Sequence, residues 1–286
     1  MTDTPLDRRL NAFRPDLADA RLEGRVEAAR FVTGSEARVV VPVLDLRSAP
    51  RADAGLDTQL ILAEEVRVFE EADGFAWVQA GRDGYVGYVE AAGLAAPAAN
   101  APTHVVTVPR TFLYAEADMK KRAVAALSLG SRLTIVGATT TRGTDYALTD
   151  TGEAVVAAHL RPAGDAFADY VAVAETLERT PYLWGGTSAF GIDCSGLVQL
   201  SLRMAGRSAP RDTDMQAAGL GAPLAGRDAL RRGDLVFWKG HVAIVTDGET
   251  IIHASGHAMM VVREPLNEAI ERIARLYDRP IGFRRP

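Results

Sequence analysis

The chain has a single cysteine, Cys194, and five histidines. A cysteine performs acyl transfer when its thiolate has a base within hydrogen-bond reach and a third group orients that base. Cys194 ends the glycine-rich stretch Pro181-Tyr-Leu-Trp-Gly-Gly-Thr-Ser-Ala-Phe-Gly-Ile-Asp-Cys194 and is flanked by Asp193 and Ser195. Behind it, Gly196-Leu-Val-Gln-Leu-Ser-Leu-Arg-Met-Ala205 carries apolar residues at helical spacing. Asp and Ser just ahead of such a run are helix-start residues, which sets Cys194 at a helix N-terminus. Unpaired N–H groups and the helix dipole there favour a thiolate, so a lowered thiol pKa is expected. His241 opens the strand-like run His241-Val-Ala-Ile-Val245, and His253 lies in Thr250-Ile-Ile-His-Ala254. Asp247-Gly248 between them is a hairpin signal. Facing side chains on adjacent antiparallel strands come within roughly 5 Å at Cβ. His253 is therefore placed to hold the ring of His241 while His241 serves the sulfur.

Each of these residues has a blander reading when taken alone. A lone cysteine is more often a small buried hydrophobe, and a histidine at a strand start is more often structural. The flanking Asp and Ser, and the order Cys, His, His along one region, turn the balance toward catalysis. His257 reads as a solvated turn residue, Trp184 and Trp238 as packing residues, and His104 and His159 receive no role. One cysteine with scattered histidines lacks zinc-ligand spacing, so no metal and no cofactor are expected.

The elements that must position these groups divide the chain. Residues 1–33 form an N-terminal arm or helix, with a helical tendency around Asp16–Arg30. Residues 34–94 read as all-β: Ala37–Leu44 is strand-like, and Val66–Phe69 and Ala76–Gln79 alternate apolar and polar. The turn Arg82-Asp-Gly84 and the strand Tyr85–Val89 complete a small barrel. Residues 95–102, Ala-Ala-Pro-Ala-Ala-Asn-Ala-Pro, are a linker by composition. Residues 103–162 repeat the layout, with Val41-Pro42 recurring as Val108-Pro109 and Leu94 as Leu160, so two copies of one β module are expected. Residues 163–286 open with a helix over Ala166–Leu177, with Asp165 as its cap. The Cys194 helix and the strands Asp234–Trp238, His241–Val245, Thr250–Ala254 and Met259–Val262 follow. Helices first and an antiparallel sheet after them make this an α+β domain.

Composition narrows the function. The hydrophobic fraction of 48% and charged fraction of 24% are those of a globular protein with ample core. Thirty-two basic against 37 acidic residues, net charge −5, argue against nucleic acid and anionic membrane surfaces as partners. A single cysteine forms no internal disulfide, and the first residues show no apolar h-region. No run approaches the ~20 apolar residues of a membrane span. The expected location is cytoplasmic.

The residues resemble the NlpC/P60 family of papain-like cysteine peptidases. Tyr182 with Trp184-Gly-Gly186, Asp193-Cys-Ser-Gly196, Pro210-Arg-Asp-Thr213, Gly233-Asp-Leu235, His241-Val-Ala243 and Ile252-His-Ala254 occur in family order over about 165–286. The β pair ahead of them is similar to bacterial SH3-like modules. The implied architecture is a papain-like catalytic domain preceded by two small SH3-like β-barrels. The fusion resembles the subgroup that cleaves γ-D-glutamyl-L-diamino acid bonds in murein peptides bearing a free N-terminal L-Ala.

The resemblance implies Cys194 as nucleophile, His241 as general base and then acid, and His253 in the orienting place. It puts the backbone N–H of Cys194 in the oxyanion hole, with Tyr182 close by. Asp193 and Ser195 would contact the bound dipeptide, Asp193 near its amine. Arg211, Asp212 and Thr213 would line the D-Glu side, with Thr213 where the family often has Ser. An acid and a tyrosine of the first β module bind the free amine in the subgroup, for which Glu64 and either Tyr85 or Tyr88 are the candidates. Two carboxylates meeting an ammonium would offset its desolvation, and a pocket ending there would reject a blocked nitrogen. The implied partner is a murein peptide of the L-Ala-γ-D-Glu-diaminopimelate (or Lys) type. An amidase or acyltransferase on the same core, and a non-catalytic wall-peptide-binding protein, are the competing readings.

Overall fold

A computed structural model describes residues 6–286. These fall into two compact units. The first holds the described residues up to Val106 with Thr111–Leu127 and Ser131–Ala163; the second holds Gly164–Pro286 with Thr107–Arg110 and Ser128–Gly130.

In the first unit, residues 35–95 build a seven-stranded antiparallel sheet. Its order is Leu56–Ile61, Val43–Arg47, Val86–Glu90, Phe75–Ala80, Glu65–Ala72, Ser35–Val39 and Leu94–Ala95. Leu44 and Leu46, Val66 and Val68, and Ala76, Val78 and Ala80 all turn inward by period-two alternation and meet in one core. The run expected as a single strand over Ala37–Leu44 is two strands, Ser35–Val39 and Val43–Arg47. Pro42 sits between them, and proline supplies no ladder N–H.

The expected helical tendency at Asp16–Arg30 is not realised. That stretch holds the two-residue strand Ala18–Asp19, paired in parallel with Phe31–Val32, and a 3₁₀ turn at Ala20–Leu22. Pro15 precedes the stretch and Gly24, at φ 76°, interrupts it, which leaves too short a run for a stable helix, and tertiary burial decides instead. Ala12 and Leu17 pack on Phe69 and Trp77 of the sheet.

Residues 104–162 form a three-stranded and a five-stranded sheet. Here His104–Val106 is flanked by Arg132–Leu133 and Leu160–Pro162. In the first module Ser35–Val39 is likewise flanked by Glu65–Ala72 and Leu94–Ala95. A 3₁₀ turn precedes the last strand in both, Ala91–Gly93 and Ala157–His159. A cleft of about 500 Å³ opens between the two modules, lined by residues that include Arg38, Leu62, Pro97, Arg132 and Asp150. It contains none of the candidate catalytic residues.

The second unit is α+β. Helix α1 (Tyr170–Thr176) is capped by Asp169, whose side chain accepts from Val171 N–H; it starts four residues later than expected, and Asp165 is not its cap. Helix α2 (Cys194–Met204) packs against α1 and the central strands. Helix α3 (Thr213–Gly219) follows. The strands β1 (Leu235–Trp238), β2 (His241–Val245), β3 (Thr250–Ser255) and β4 (Met260–Pro265) form an antiparallel meander, and β5 (Gly282–Arg285) returns beside β1. Helix α4 (Leu266–Ala274) leaves β4 directly and lays Leu266, Ala269, Ile270 and Ile273 on Val236, Trp238, Ala243, Val245 and Ile251. Among the described residues no helix is long and apolar enough to cross a membrane.

Candidate active site

Cys194 is the first residue of α2, and Asp193 is its cap, with the side chain accepting from Gly196 N–H at 2.7 Å. The glycines ahead of the cysteine serve close approach. A Cβ at Gly196 would run into the Gly186 carbonyl, and one at Gly186 into the Gly191 carbonyl. The loop is therefore folded tightly back onto the first turn of α2, and Asp193 N–H donates to that same Gly186 carbonyl.

The Asp193 carboxylate is fully engaged within the unit. It accepts from Gly185 N–H at 2.9 Å and from the Ser195 hydroxyl at 3.3 Å. The buried Arg211 guanidinium grips both its oxygens at 3.1 and 2.6 Å, and also donates to Ser195 Oγ at 2.8 Å. A buried carboxylate held in this way is neutralised by its own chain. Asp193, Ser195 and Arg211, expected as substrate contacts, thus make one internal network under the nucleophile. Asp212 is the N-cap residue of α3, and Thr213 opens that helix with its Oγ1 3.8 Å from the Cys194 sulfur. Gln216 on α3 donates to the Ser195 carbonyl at 3.0 Å, which ties α3 to the start of α2.

The β2 strand supplies the other side. Val242 N–H donates to the sulfur, directly beside His241. Pairing of Ile244 with Ile252 and Val245 with Ile251, continued in register, puts His253 opposite Ala243. His241 is then the diagonal, same-face neighbour of His253 rather than its facing partner, and the small Ala243 leaves room for the rings to meet. They do so edge-on, centroids 4.9 Å apart, with His241 Nε2 2.7 Å from His253 Nδ1. Trp238, across the β1–β2 pairing, packs on the other side of His241 at 5.6 Å.

The chain of contacts goes on to residues that sequence reasoning missed. His253 Nε2 lies 2.6 Å from Glu264 Oε1 on β4, and that oxygen is also held by Arg272 of α4. Glu264 lies diagonal to His253, two residues past its partner Val262 and on the same face. The alternation of β4 carried the signal, but its length was underestimated: the strand was expected to end at Val262.

Electrostatics overturn one expectation. Burial pushes the Cys194 thiol up to about 11, with the Asp193 charge adding to it; the Val242 N–H, Thr213 and Arg211 oppose this without prevailing. Burial also drives His241 down to about 3, helped by His253 and Arg272 and opposed by Glu264. In this resting arrangement burial holds the sulfur in its protonated form, since desolvation disfavours the charged thiolate. Both groups rest neutral at pH 7. Burial likewise raises the Tyr182 hydroxyl, reinforced by the neighbouring Cys194 and Asp193 charges.

The candidates in the first unit are each engaged locally. Both carboxylate oxygens of Glu64 accept from one nitrogen, Nη1, of Arg82 at 3.0 and 2.9 Å. Tyr85 sits in the core of the first module, and the Tyr88 hydroxyl accepts from Arg14 at 3.0 Å. No cluster of three or more His, Cys, Asp or Glu suited to a metal ion occurs among the described residues.

Comparison with known proteins gives two domain matches: the NlpC/P60 family over residues 179–274 and the bacterial dipeptidyl-peptidase SH3 domain over residues 46–94. A Bacillus subtilis protein named gamma-D-glutamyl-L-lysine dipeptidyl-peptidase is 43% identical over 83 residues, 26% of this chain and 27% of that protein. A Bacillus cereus protein of the same name is 28% identical over 249 residues, 74% of this chain and 71% of that one. Matches at 40% identity or more span about half or less of the relatives' own lengths. A crystal structure of an NlpC/P60 family protein from Bacillus cereus superposes with a TM-score of 0.73 at 22% identity, over 88% of this chain and 99% of that one, which shows a shared fold.

Proposed function

Since this chain carries an NlpC/P60 domain behind a bacterial dipeptidyl-peptidase SH3 domain, we propose that it is a cysteine peptidase of murein-derived peptides. In this reading it cleaves the bond between γ-D-Glu and a diamino acid, diaminopimelate or Lys, and acts in the recycling of released peptides. The observation that carries the reading is the line from the buried sulfur at the head of α2 to the N–H of Val242, beside His241, and from His241 Nε2 to His253 Nδ1.

With Nε2 of His241 occupied by His253, Nδ1 is the nitrogen left for the sulfur. Both partners start neutral, so the thiol proton passes to Nδ1 as Sγ attacks the γ-carbonyl carbon of D-Glu. Negative charge gathers on the carbonyl oxygen, which the backbone N–H of Cys194 meets, with Tyr182 close by. The imidazolium of His241 then gives its proton to the departing amine of the diamino acid. Water, deprotonated by the same nitrogen, hydrolyses the thioester and frees L-Ala-γ-D-Glu. The substrate in this reading carries a free N-terminal L-Ala amine. Asp212 and Thr213 are assigned to the D-Glu side.

The test is a mass-spectrometric digest of L-Ala-γ-D-Glu-diaminopimelate, with a free or acetylated N-terminus, by the wild-type chain and by Cys194→Ala. Cleavage of the free-amine peptide alone, lost in Cys194→Ala, supports the reading. Equal cleavage of both peptides removes the requirement for a free amine, and undiminished cleavage by Cys194→Ala removes the mechanism.

A further inference from the structure

The two imidazoles end on a carboxylate that the peptidase reading does not require. We propose that Glu264, steadied by Arg272, is a positioning residue that sets the tautomer of both histidines and so makes Nδ1 of His241 the basic nitrogen. The proposal rests on the cysteine-peptidase reading for its consequence, but not for its structural content.

The argument follows the hydrogen atoms. A neutral imidazole has one N–H and one lone pair, and the partner of one nitrogen decides the role of the other. Glu264 Oε1, 2.6 Å from His253 Nε2, is a carboxylate oxygen and can only accept, so Nε2 of His253 carries its hydrogen. Nδ1 of His253 is then the lone pair, and the 2.7 Å contact must be donated by Nε2–H of His241. The one N–H of each neutral ring is then accounted for, and Nδ1 of His241 is left as a lone pair for the thiol. Reversing the first bond reverses every later one. A proton on Nδ1 of His241 would meet a thiol that needs an acceptor, and proton transfer from sulfur could not begin.

Arg272 keeps the anchor ionised and in place. Burial works to raise the Glu264 carboxyl, but its bonds to His253 and Arg272 outweigh this and hold it below the ordinary glutamate range. The geometry is built by continuous chain. Glu264 is the next-to-last residue of β4, α4 begins two residues later, and Arg272 lies two turns along α4. The apolar face of α4 is clamped on β1–β3, so the guanidinium is delivered to the carboxylate by a packed helix rather than a loop. His253 is buried, which keeps water from supplying its ring with an alternative partner, and Glu264 is part-buried beside it.

The test reads tautomers directly by long-range ¹⁵N–¹H correlation spectra of ¹⁵N-histidine-labelled full-length protein at pH 7.5. His241 and His253 signals are assigned by His241→Gln and His253→Gln variants. The expected result is the Nε2–H tautomer for both rings in the wild type. In Glu264→Leu, which removes the acceptor, the pattern is lost or mixed. Glu264→Gln still offers an oxygen and keeps it. On the tripeptide, Glu264→Leu should lower kcat about 10–100-fold, the loss seen when the carboxylate that orients a functional histidine at metal centres is removed, with KM within about threefold. Glu264→Gln should recover most of that loss. An Nδ1–H tautomer at either ring of the wild type overturns the proposal, as does an unchanged spectrum in a folded Glu264→Leu. The wild-type spectrum decides even where that variant does not fold. If the chain cleaves no murein peptide, the peptidase reading fails while the tautomer result stands apart from it.

Discussion

Nε2 of His241 and Nδ1 of His253 lie 2.7 Å apart although their residues are diagonal, not opposite, on neighbouring strands. The contact exists because the residue opposite His253 is Ala243, whose methyl leaves the face open for two rings to lean together. The bond consumes one nitrogen of each ring, and the order of donors along it determines what the sulfur meets.

Acceptance by His253 is therefore the property to test. An asparagine or glutamine at 253 presents a carbonyl that can accept from His241 Nε2–H, whereas alanine presents nothing. His253→Ala should lower kcat by about 10²-fold or more, within the range for a general acid–base group, and His253→Asn should retain more activity than His253→Ala. His241→Ala should cost more than either. Steady-state kinetics on the free-amine tripeptide check this ranking, and equal losses for Ala and Asn at 253 would show that the ring acts by packing alone.

His241 also makes stability depend on acid. Burial drives its pKa down to about 3 from an ordinary value of 6.5. Its folded pKa is depressed, so the unfolded chain binds the proton first. The neutral-ring contribution is complete above about pH 6.5 and is lost as pH falls toward 3, at up to about 1.4 kcal/mol per pH unit. Chemical denaturation of wild type and His241→Gln at pH 8, 6, 5 and 4 tests this. The difference between the two proteins should shift in favour of the variant as pH falls, and a constant difference would place the ring in solvent.

The parts of this site that were legible in the sequence are those set by local chemistry. Asp193 caps a helix, glycines allow a tight loop, and two histidines open and fill apolar strands; each of these is decided within a few residues. The Glu264–Arg272 end was not legible because it depends on how far β4 runs and on which turn of α4 meets it, both set by tertiary packing. The same limit explains Asp16–Arg30, where a charge-rich stretch with helical tendency is held as a two-residue strand, a 3₁₀ turn and loop, with Leu17 buried against Phe69 and Trp77. The thiol's shift runs opposite to the sequence expectation for a related reason. A helix terminus is visible in sequence, whereas the burial that pushes the thiol up arises from packing among elements distant in the chain.

That reversal predicts the reactivity of the free protein. With its thiol pushed up to about 11, Cys194 should react with iodoacetamide slowly at pH 6. The rate should rise roughly tenfold per pH unit through the neutral and alkaline range, as thiolate fraction does below its pKa. Mass spectrometry of carbamidomethylated Cys194, the chain's single cysteine, gives the profile. Fast labelling that is already flat at pH 6 would show the sulfur ionised against His241 before substrate arrives.

The foundation under the nucleophile can be tested through Arg211. Its guanidinium is 1% exposed and makes two bonds to Asp193 and one to Ser195. Arg211→Met keeps much of the side-chain volume but leaves a buried carboxylate with only the backbone N–H groups of Gly185 and Gly196 and the Ser195 hydroxyl to hold it. Breaking a buried pair from one side costs about 3–5 kcal/mol. Removing the charge on the other side as well, in Arg211→Met with Asp193→Asn, relieves the stranded carboxylate while the amide oxygen still caps α2. Urea denaturation should therefore rank the proteins wild type, double variant, then Arg211→Met, with the double variant recovering at least about 1 kcal/mol of the single variant's loss. A double variant no more stable than Arg211→Met would mean that packing around the guanidinium, rather than its charge on Asp193, holds the first turn of α2 in place.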